Sequence, residues 1–174
     1  MTAHQRLSRR LEIVFNHLNP RQDVWDFCCD HGYLGGAAYK SQNFPKIYFV
    51  DQVESIIENL KARFNKFAFD QKNQSQAYFL CQSGESISQI ITGTICVTGV
   101  GGLTIYEILS KLASARNLKA NRLILGPHRD DDKLLKLISD NQNLNTYFLF
   151  KTETVVEDGR NRHIYIFDQI QVTA

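Results

Sequence analysis

The residues best suited to carry out chemistry lie between Val24 and Gly36, where an apolar strand leads through two carboxylates and a tight turn into a helical pattern. In open α/β sheets, such a turn holds a nucleoside-containing cofactor. Cys28 stands where the dinucleotide fingerprint has its first glycine, and Asp26 and Asp30 flank the turn. These carboxylates would repel a pyrophosphate and attract the ammonium and sulfonium groups of S-adenosylmethionine. The charge of the turn therefore favours S-adenosylmethionine over NAD.

Further cofactor candidates follow the next strands. Asp51 ends the second strand, where an acidic side chain accepts the ribose hydroxyls of an adenosine, and we favour this role over the alternative of an N-cap for the next helix. Ser83 and Gly84 close the third strand and either face the adenine or form a plain turn. The predicted cofactor-binding residues are Asp26, Cys28, Asp30, His31, Tyr33, Asp51, Gln52, Ser83, Gly84 and Gly99.

Structural alternatives exist for the turn residues themselves. Asp26 could be an N-cap for the helix that begins near Tyr33, and Asp30 fits that capping role better. His31 either contacts the methionine end of the cofactor or donates a hydrogen bond within the loop. Tyr33 is either a wall of the cofactor site or part of the core.

A second group of candidates would face the methyl acceptor. The segment Gly99-Val100-Gly101-Gly102 has three glycines in four positions, which lets the backbone approach a ligand and adopt positive φ. A strand-to-helix turn normally needs only one glycine. His128, after the fifth strand, borders the same edge of the sheet. We predict catalytic roles for His128, Gly99, Gly101 and Gly102, and substrate contacts for Arg9, Arg10 and His128. A structural histidine and a solvated helix face are the alternatives.

The elements that must position these residues alternate along the chain. Apolar residues at helical spacing from Leu7 to Leu18 predict an amphipathic helix within residues 1–20, which Pro20 ends. Strands are predicted at 23–29, 46–51, 76–81, 94–98 and 121–126, and helices at 33–42, 53–68, 85–91, 103–115 and 130–143. This alternation predicts an α/β fold, one domain over residues 1–174, with a mostly parallel sheet and helices on both faces.

The last two predicted strands, at 146–156 and 163–172, break this alternation. The turn at 157–161 is too short for a helical crossover, so the chain must reverse as a hairpin. We therefore expect seven strands, of which the last is antiparallel to the others.

Five short segments occur in a fixed order over residues 7 to 168. They are Leu7 to Leu11, Asp26 to Leu34, Gly99 to Gly102, Arg122 to Pro127 and Glu157 to Gly159. Together they resemble the bacterial tRNA adenine-22 N1-methyltransferase (TrmK) family. The resemblance implies the Rossmann-like class I methyltransferase fold, S-adenosylmethionine as cofactor and adenine N1 of tRNA as acceptor. tRNA is thus the implied partner.

The sequence departs from the family pattern in several places. The family usually has glycine at Cys28, aspartate at Ser83, and Gln-Pro-Asn at Gly126-Pro127-His128. It also carries a C-terminal helical hairpin thought to grip tRNA, which this sequence lacks before it ends at Ala174. The alternatives are therefore a methyltransferase acting on another RNA or a small molecule, a catalytically degenerate module that binds S-adenosylmethionine, and an NAD-dependent oxidoreductase.

Composition limits the remaining classes. The chain has 174 residues, 43% of them hydrophobic, and a net charge of +2, which is too small to indicate a nucleic-acid partner by itself. No run of 18 apolar residues and no secretory signal is present, so we expect a cytoplasmic protein without a membrane anchor. The four cysteines show no C-x-x-C spacing, so we expect neither a disulfide nor a bound metal.

Overall fold

The computed structural model describes residues 7–67 and 75–170. The helices are α1 (Arg9–Asn16), α2 (Tyr33–Ser41), α3 (Glu54–Phe67), α4 (Gly102–Ser114) and α5 (Asp131–Asp140). The strands are β1 (Val24–Phe27), β2 (Lys46–Asp51), β3 (Gln76–Cys81), β4 (Thr94–Thr98), β5 (Arg122–Gly126), β6 (Tyr147–Glu157) and β7 (Arg160–Gln169).

The seven strands form one sheet in the order β3-β2-β1-β4-β5-β7-β6. Neighbours from β3 to β5 pair in parallel, whereas β7 pairs antiparallel with both β5 and β6. The predicted mixed sheet with an antiparallel last strand is thus confirmed. The strand order reverses between β1 and β4, which is where ligands bind in sheets of this kind.

Helices cover both faces of the sheet, as predicted, because successive residues of each central strand point to opposite sides. In β1, Trp25 and Phe27 pack in one apolar cluster with residues of α4 and α5. Val24 packs in the other cluster with residues of α1, α2 and α3. Central strands buried on both faces need continuous apolar sequence, which explains why their positions could be predicted.

The last hairpin turns at Asp158 and Gly159, with φ of 52° and 70° respectively. Both residues are left-handed, as a two-residue Asp-Gly turn requires. The strand β7 consequently begins at Arg160, earlier than the predicted 163. Residues 171–172 of the prediction lie outside the described residues.

Two predicted helices have different bounds in the structure, and a third does not form. The first begins after Ser8, whose Oγ accepts a hydrogen bond from the Leu11 amide, and ends at Asn16. The helix predicted to 143 ends at Asp140. The helix predicted at 85–91 is wrong, because only a 3-10 turn forms at Gly84–Ser86 and Ile87 is extended. There the Asn117 side chain donates to the Ile87 carbonyl, which takes the place of a helical hydrogen bond.

Candidate active site

A cavity of about 500 Å³ opens where the chain leaves the carboxyl ends of β1, β4 and β5. Its lining combines the turn after β1 with α1, the loops after β4 and β5, and the end of β6. The lining residues are Ser8, Arg10, Leu11, Asp26, Cys28, Cys29, Asp30, His31, Tyr33, Leu34, Thr98, Gly99, His128 and Glu157. The cavity thus brings predicted cofactor residues and predicted acceptor residues to one opening.

The turn after β1 is shaped by left-handed backbone. Cys28, Asp30 and Gly32 have φ of 53°, 44° and 62°. At Gly32 a Cβ would lie 2.5 Å from the Leu60 side chain, so glycine is also required for packing. Cys28 adopts the conformation that glycine tolerates best, at the position where the resembled family has glycine.

The Asp26 side chain connects the end of β1 to the helix that follows the turn. Its side chain is 5% exposed, and Oδ2 accepts a hydrogen bond of 3.0 Å from the backbone amide of Gly35 in the first turn of α2. Burial raises the pKa of Asp26 to about 7, opposed by the Gly35 hydrogen bond and assisted by the nearby charge of Asp51. The carboxyl group therefore satisfies a helix amide and also contributes to the wall of the cavity.

Asp30 and His31, at the outer side of the turn, are exposed to solvent. The Asp30 carboxylate is 68% exposed and lies 3.8 Å from Nε2 of His31, whose ring stacks on Tyr33 with centroids 5.3 Å apart. Arg63 donates to the His31 carbonyl and so ties the turn to α3. Gly32 is the N-cap of α2, without a side-chain cap hydrogen bond, so Asp30 does not take the capping role considered for it.

Asp51 connects the turn to the end of β2. Its Oδ2 accepts from the Asp30 amide at 3.3 Å, and its Oδ1 accepts from the Val53 amide at 3.0 Å. The carboxylate thus makes the local contacts expected of a residue before a helix, beside the turn after β1. Its role toward a ribose stays a prediction.

Gln52, Ser83 and Gly84 lie along the same edge, beyond the lining of the cavity. Gln52 is exposed, and Ser83 Oγ contacts Ser86 Oγ at 3.1 Å. Gly84 is buried, and a Cβ there would lie 2.6 Å from the ring of Phe27. Packing alone therefore accounts for glycine at this position.

The three glycines after β4 have different surroundings. Gly99 has φ of 84°, and a Cβ built there would meet no atom within 4 Å, so this backbone borders open space. A Cβ on Gly101 would approach the Arg129 side chain at 3.2 Å, and one on Gly102 would meet the Asp130 carbonyl at 2.7 Å. The second and third glycines thus let the loop after β5 pack on the start of α4.

The opposite end of the cavity is a cluster of charged side chains. Arg10 Nη1 lies 2.8 Å from Nε2 of His128 and 3.3 Å from Oε2 of Glu157. Arg162 Nη1 donates to the His128 carbonyl at 2.9 Å. Arg9, in contrast, is exposed at the position of α1 that precedes Arg10 and does not line the cavity.

Sequence reasoning missed several of these residues. Ser8, Leu11, Thr98 and Glu157 line the cavity, and Arg162 holds the loop of His128. Glu157 and Ser8 fell within segments that resemble the TrmK family, which was the available signal. Thr98 and Arg162 lie outside those segments and carried no signal in the sequence.

Burial and charge set the protonation of the lining groups. Burial, together with the charges of Asp51, Asp26 and Glu85, raises the pKa of the Cys28 thiol to about 11. Burial and the charges of Arg10 and Arg162 lower the pKa of His128, against a weaker opposing effect of Glu157. Cys28 is therefore a protonated thiol rather than a nucleophile, and His128 is a neutral imidazole at neutral pH.

Two negative findings concern residues 7–67 and 75–170. No three His, Cys, Asp or Glu side chains in these ranges come together as a metal site would require. No helix in them combines the length and apolar character needed to cross a bilayer.

Solved structures with a similar fold include TrmK of M. capricolum in complex with S-adenosyl-homocysteine, with a TM-score of 0.76 and 20% identity, covering 94% of this chain and 69% of that one. The m1A22 tRNA methyltransferase TrmK of B. subtilis has a TM-score of 0.75 and 19% identity over 94% and 67% of the two chains. Magnesium protoporphyrin IX methyltransferase of Synechocystis, with bound SAM, has a TM-score of 0.62 and 16% identity over 92% and 74%. At these identities the likeness shows the fold.

None of the curated proteins matches the sequence. The sequence does match the methyltransferase domain family over residues 7–166, which includes every strand from β1 to β5 and most of the final hairpin. The match agrees with the seven-stranded sheet predicted from the alternating pattern and with a cavity at the reversal of strand order. This protein belongs to the methyltransferase domain family.

Proposed function

We propose that this protein is an S-adenosylmethionine-dependent methyltransferase that modifies adenine N1 in an RNA, with tRNA as the first acceptor to test. The observation that carries the proposal is the single cavity that joins the acidic turn after β1 to the cluster of Arg10, His128 and Glu157. A cofactor and an acceptor bound at these two ends would share one space. An RNA acceptor of this kind would also place the protein in the cytoplasm.

The residues at the turn fit the cofactor chemically. Asp30 presents a carboxylate, and Asp26 a carboxyl group whose ionised form a cation would favour, to a ligand that carries two cationic groups. Asp51 adjoins them through the Asp30 amide. Gly99 borders open space that a Cβ would occupy. When bound, S-adenosylmethionine supplies an electrophilic methyl group from its sulfonium.

The chain's own residues then bind and orient rather than remove protons. N1 of neutral adenine has a free lone pair, so methylation there depends on placement more than on a general base. Cys28 remains a protonated thiol and His128 a neutral imidazole, as the directions of their pKa shifts indicate. Arg10 and Glu157 fix the end of the cavity where the acceptor would enter.

The choice of adenine N1 is supported by the TrmK proteins of M. capricolum and B. subtilis, because the latter is named for m1A22 of tRNA. Reaching N1 in folded RNA requires the nucleotide to leave its stack. Arginine side chains near the opening, Arg9 and Arg129 among them, are exposed and suited to phosphate contacts.

A small-molecule acceptor is the second candidate. A cavity of about 500 Å³ is within the range of small-ligand sites, and the Synechocystis enzyme of similar fold is named for a porphyrin substrate. The two candidates differ in where a transferred label would be found.

The test incubates the full chain with methyl-labelled S-adenosylmethionine and, separately, unmodified tRNA transcripts, total RNA and a small-molecule extract. We expect label in the tRNA, recovered as N1-methyladenosine after digestion. Label only in the extract would establish the second candidate. Calorimetric binding of S-adenosylmethionine without transfer to any of these would indicate a binding module, and preferential binding of NAD would overturn the cofactor assignment.

A further inference from the structure

The ring of His128 is surrounded by charged groups from several elements. Arg10 reaches it from α1, Glu157 lies at the end of β6, and Arg162 comes from β7. Arg129 and Asp130 follow it on its own loop and form an ion pair of 3.6 Å with each other. The closest polar contact of the ring is the 2.8 Å hydrogen bond between its Nε2 and Arg10 Nη1.

This hydrogen bond determines which ring nitrogen carries the proton. A guanidinium group donates hydrogen bonds and cannot accept them, so Nε2 of His128 must be the acceptor. A neutral imidazole with a free lone pair on Nε2 carries its hydrogen on Nδ1. Within the described ranges no hydrogen-bond partner lies at Nδ1, and His128 lines the cavity. The Nδ1–H group is therefore the ring donor that a bound molecule can use.

The surrounding charges keep the ring neutral. Burial, Arg10 and Arg162 each disfavour the doubly protonated imidazolium and so lower the pKa of His128, and the opposing effect of Glu157 is weaker. Glu157 is also engaged by Arg10 itself, which limits its influence on the imidazole. A protonated ring would have to break the hydrogen bond from Arg10, because both partners would then be donors.

We propose that His128 orients the methyl acceptor as an Nδ1–H donor, and that Arg10 is the positioning residue that fixes this tautomer. The inference rests on the proposed function and specifies the acceptor further. The acceptor must present at His128 a lone pair other than the one that takes the methyl group, on a second ring nitrogen or on a carbonyl oxygen. A group that needs deprotonation finds no base there while Arg10 occupies Nε2.

The first test needs no substrate. Nitrogen-15 NMR of the full chain, with histidine labelled, reports the tautomer and the pKa of each ring, and His128→Asn identifies the resonance. We expect the proton on Nδ1 and titration below the ordinary histidine range. In Arg10→Met we expect the proton to move toward Nε2 and the titration midpoint to rise by about half a pH unit or more. Arg9→Met, on the neighbouring exposed position, is the control for this spectroscopic readout.

A second measurement stays informative if Arg10→Met fails to fold. An asparagine amide can occupy the place of Nδ1–H, whereas a glutamine amide reaches the place of Nε2. We expect methyl transfer by His128→Asn to exceed that by His128→Gln by at least about tenfold, with similar pH profiles. Equal rates, or a wild-type ring with its proton on Nε2, would overturn the inference. A wild-type protein with the predicted tautomer and no methyl transfer to RNA would overturn the proposed function instead.

Discussion

The two ends of the cavity are constructed in different ways. At the end proposed to hold the cofactor, called the cofactor end, one short segment forms the turn, and its shape comes from left-handed backbone at Cys28, Asp30 and Gly32. At the acceptor end, the groups that meet are side chains from distant parts of the chain, and Arg10 and His128 are 118 positions apart. The cofactor end is therefore a main-chain structure and the acceptor end a side-chain network.

This difference indicates how the two ends can vary. Altering a turn made of backbone disturbs the helix and strands that it joins, so changes at the cofactor end should affect folding and binding together. Side chains such as Glu157 and His128 are partly exposed at the rim, and substitutions there should alter acceptor use while leaving the fold intact. Substitutions at each end test this separation.

The largest loss of stability is expected where the cofactor end meets the core. In Gly35→Ala the new Cβ would lie 2.8 Å from Cζ of Phe49, whose ring is fully buried and stacked on Phe79. Overpacking of this kind costs roughly 3 kcal/mol and should displace the amide that donates to Asp26. Urea denaturation should show this loss, accompanied by weaker S-adenosylmethionine binding.

The adjacent glycine is a matched control. A Cβ on Gly36 meets nothing within 4 Å, and the residue lies inside α2. Gly36→Ala should therefore stabilise the protein by about 0.5 to 1 kcal/mol. If the two variants changed the free energy of unfolding alike, the close contact with Phe49 would not be the reason.

The second prediction concerns the buried carboxyl group. The pKa of Asp26 is raised from 3.8 to about 7, so between these values the native state keeps a proton that the unfolded chain has lost. Stability due to this group falls as pH rises through that window and stays low above it. Asp26→Asn keeps an acceptor for the Gly35 amide without the charge. Its stability relative to wild type should rise between pH 4 and pH 8, by about 4 kcal/mol at most.

Urea midpoints of both proteins across this range provide the measurement. Asp140→Asn serves as the control, because that carboxylate is exposed on α5 and pairs with Lys136. A constant difference between Asp26→Asn and wild type at all pH values would show that Asp26 is not buried as a neutral acid.

The same contrast explains what could be predicted from the sequence. The strands and the turn after β1 depend on neighbouring residues, namely apolar runs, carboxylates and glycines, and these local patterns can be recognised. A helix is predicted at 85–91, where Ile87 and Ile91 have helical spacing, but it does not form. Both are buried in the structure, but Ile91 forms a bridge with Leu118 instead of continuing a helix.

The acceptor end could be predicted only in part. Arg10 and His128 were candidates separately, but their hydrogen bond depends on how α1 packs against the loop after β5. Arg162 was missed because its contact with the His128 carbonyl exists only once β7 is paired with β5. Such long-range contacts leave no periodic or spacing signal in the sequence.

A substitution of Glu157 tests the acceptor end by itself. Glu157→Gln removes the carboxylate that pairs with Arg10, so a methylated ring bearing positive charge would face Arg10 and Arg162 without compensation. We expect kcat/KM for tRNA to fall about tenfold, equivalent to about 1.4 kcal/mol. The Kd for S-adenosylmethionine should change less than about twofold. Glu153→Gln, on the same strand but paired with His17 and Lys151, controls for loss of a β6 carboxylate.

The smallest effect is expected for a substitution that removes one charge at the cofactor end without disturbing its backbone. The Asp30 carboxylate is 68% exposed, and asparagine tolerates its left-handed φ of 44°. Asp30→Asn should therefore weaken S-adenosylmethionine binding about fivefold at low salt, since one exposed charge pair contributes about 1 kcal/mol. The loss should shrink as salt is added, because exposed charges are screened.

Asp140→Asn, whose carboxylate is 59% exposed on α5, removes an equivalent charge away from the cavity and should leave the calorimetric Kd unchanged. Equal Kd values for the two variants would mean that the turn after β1 binds its ligand through backbone shape alone.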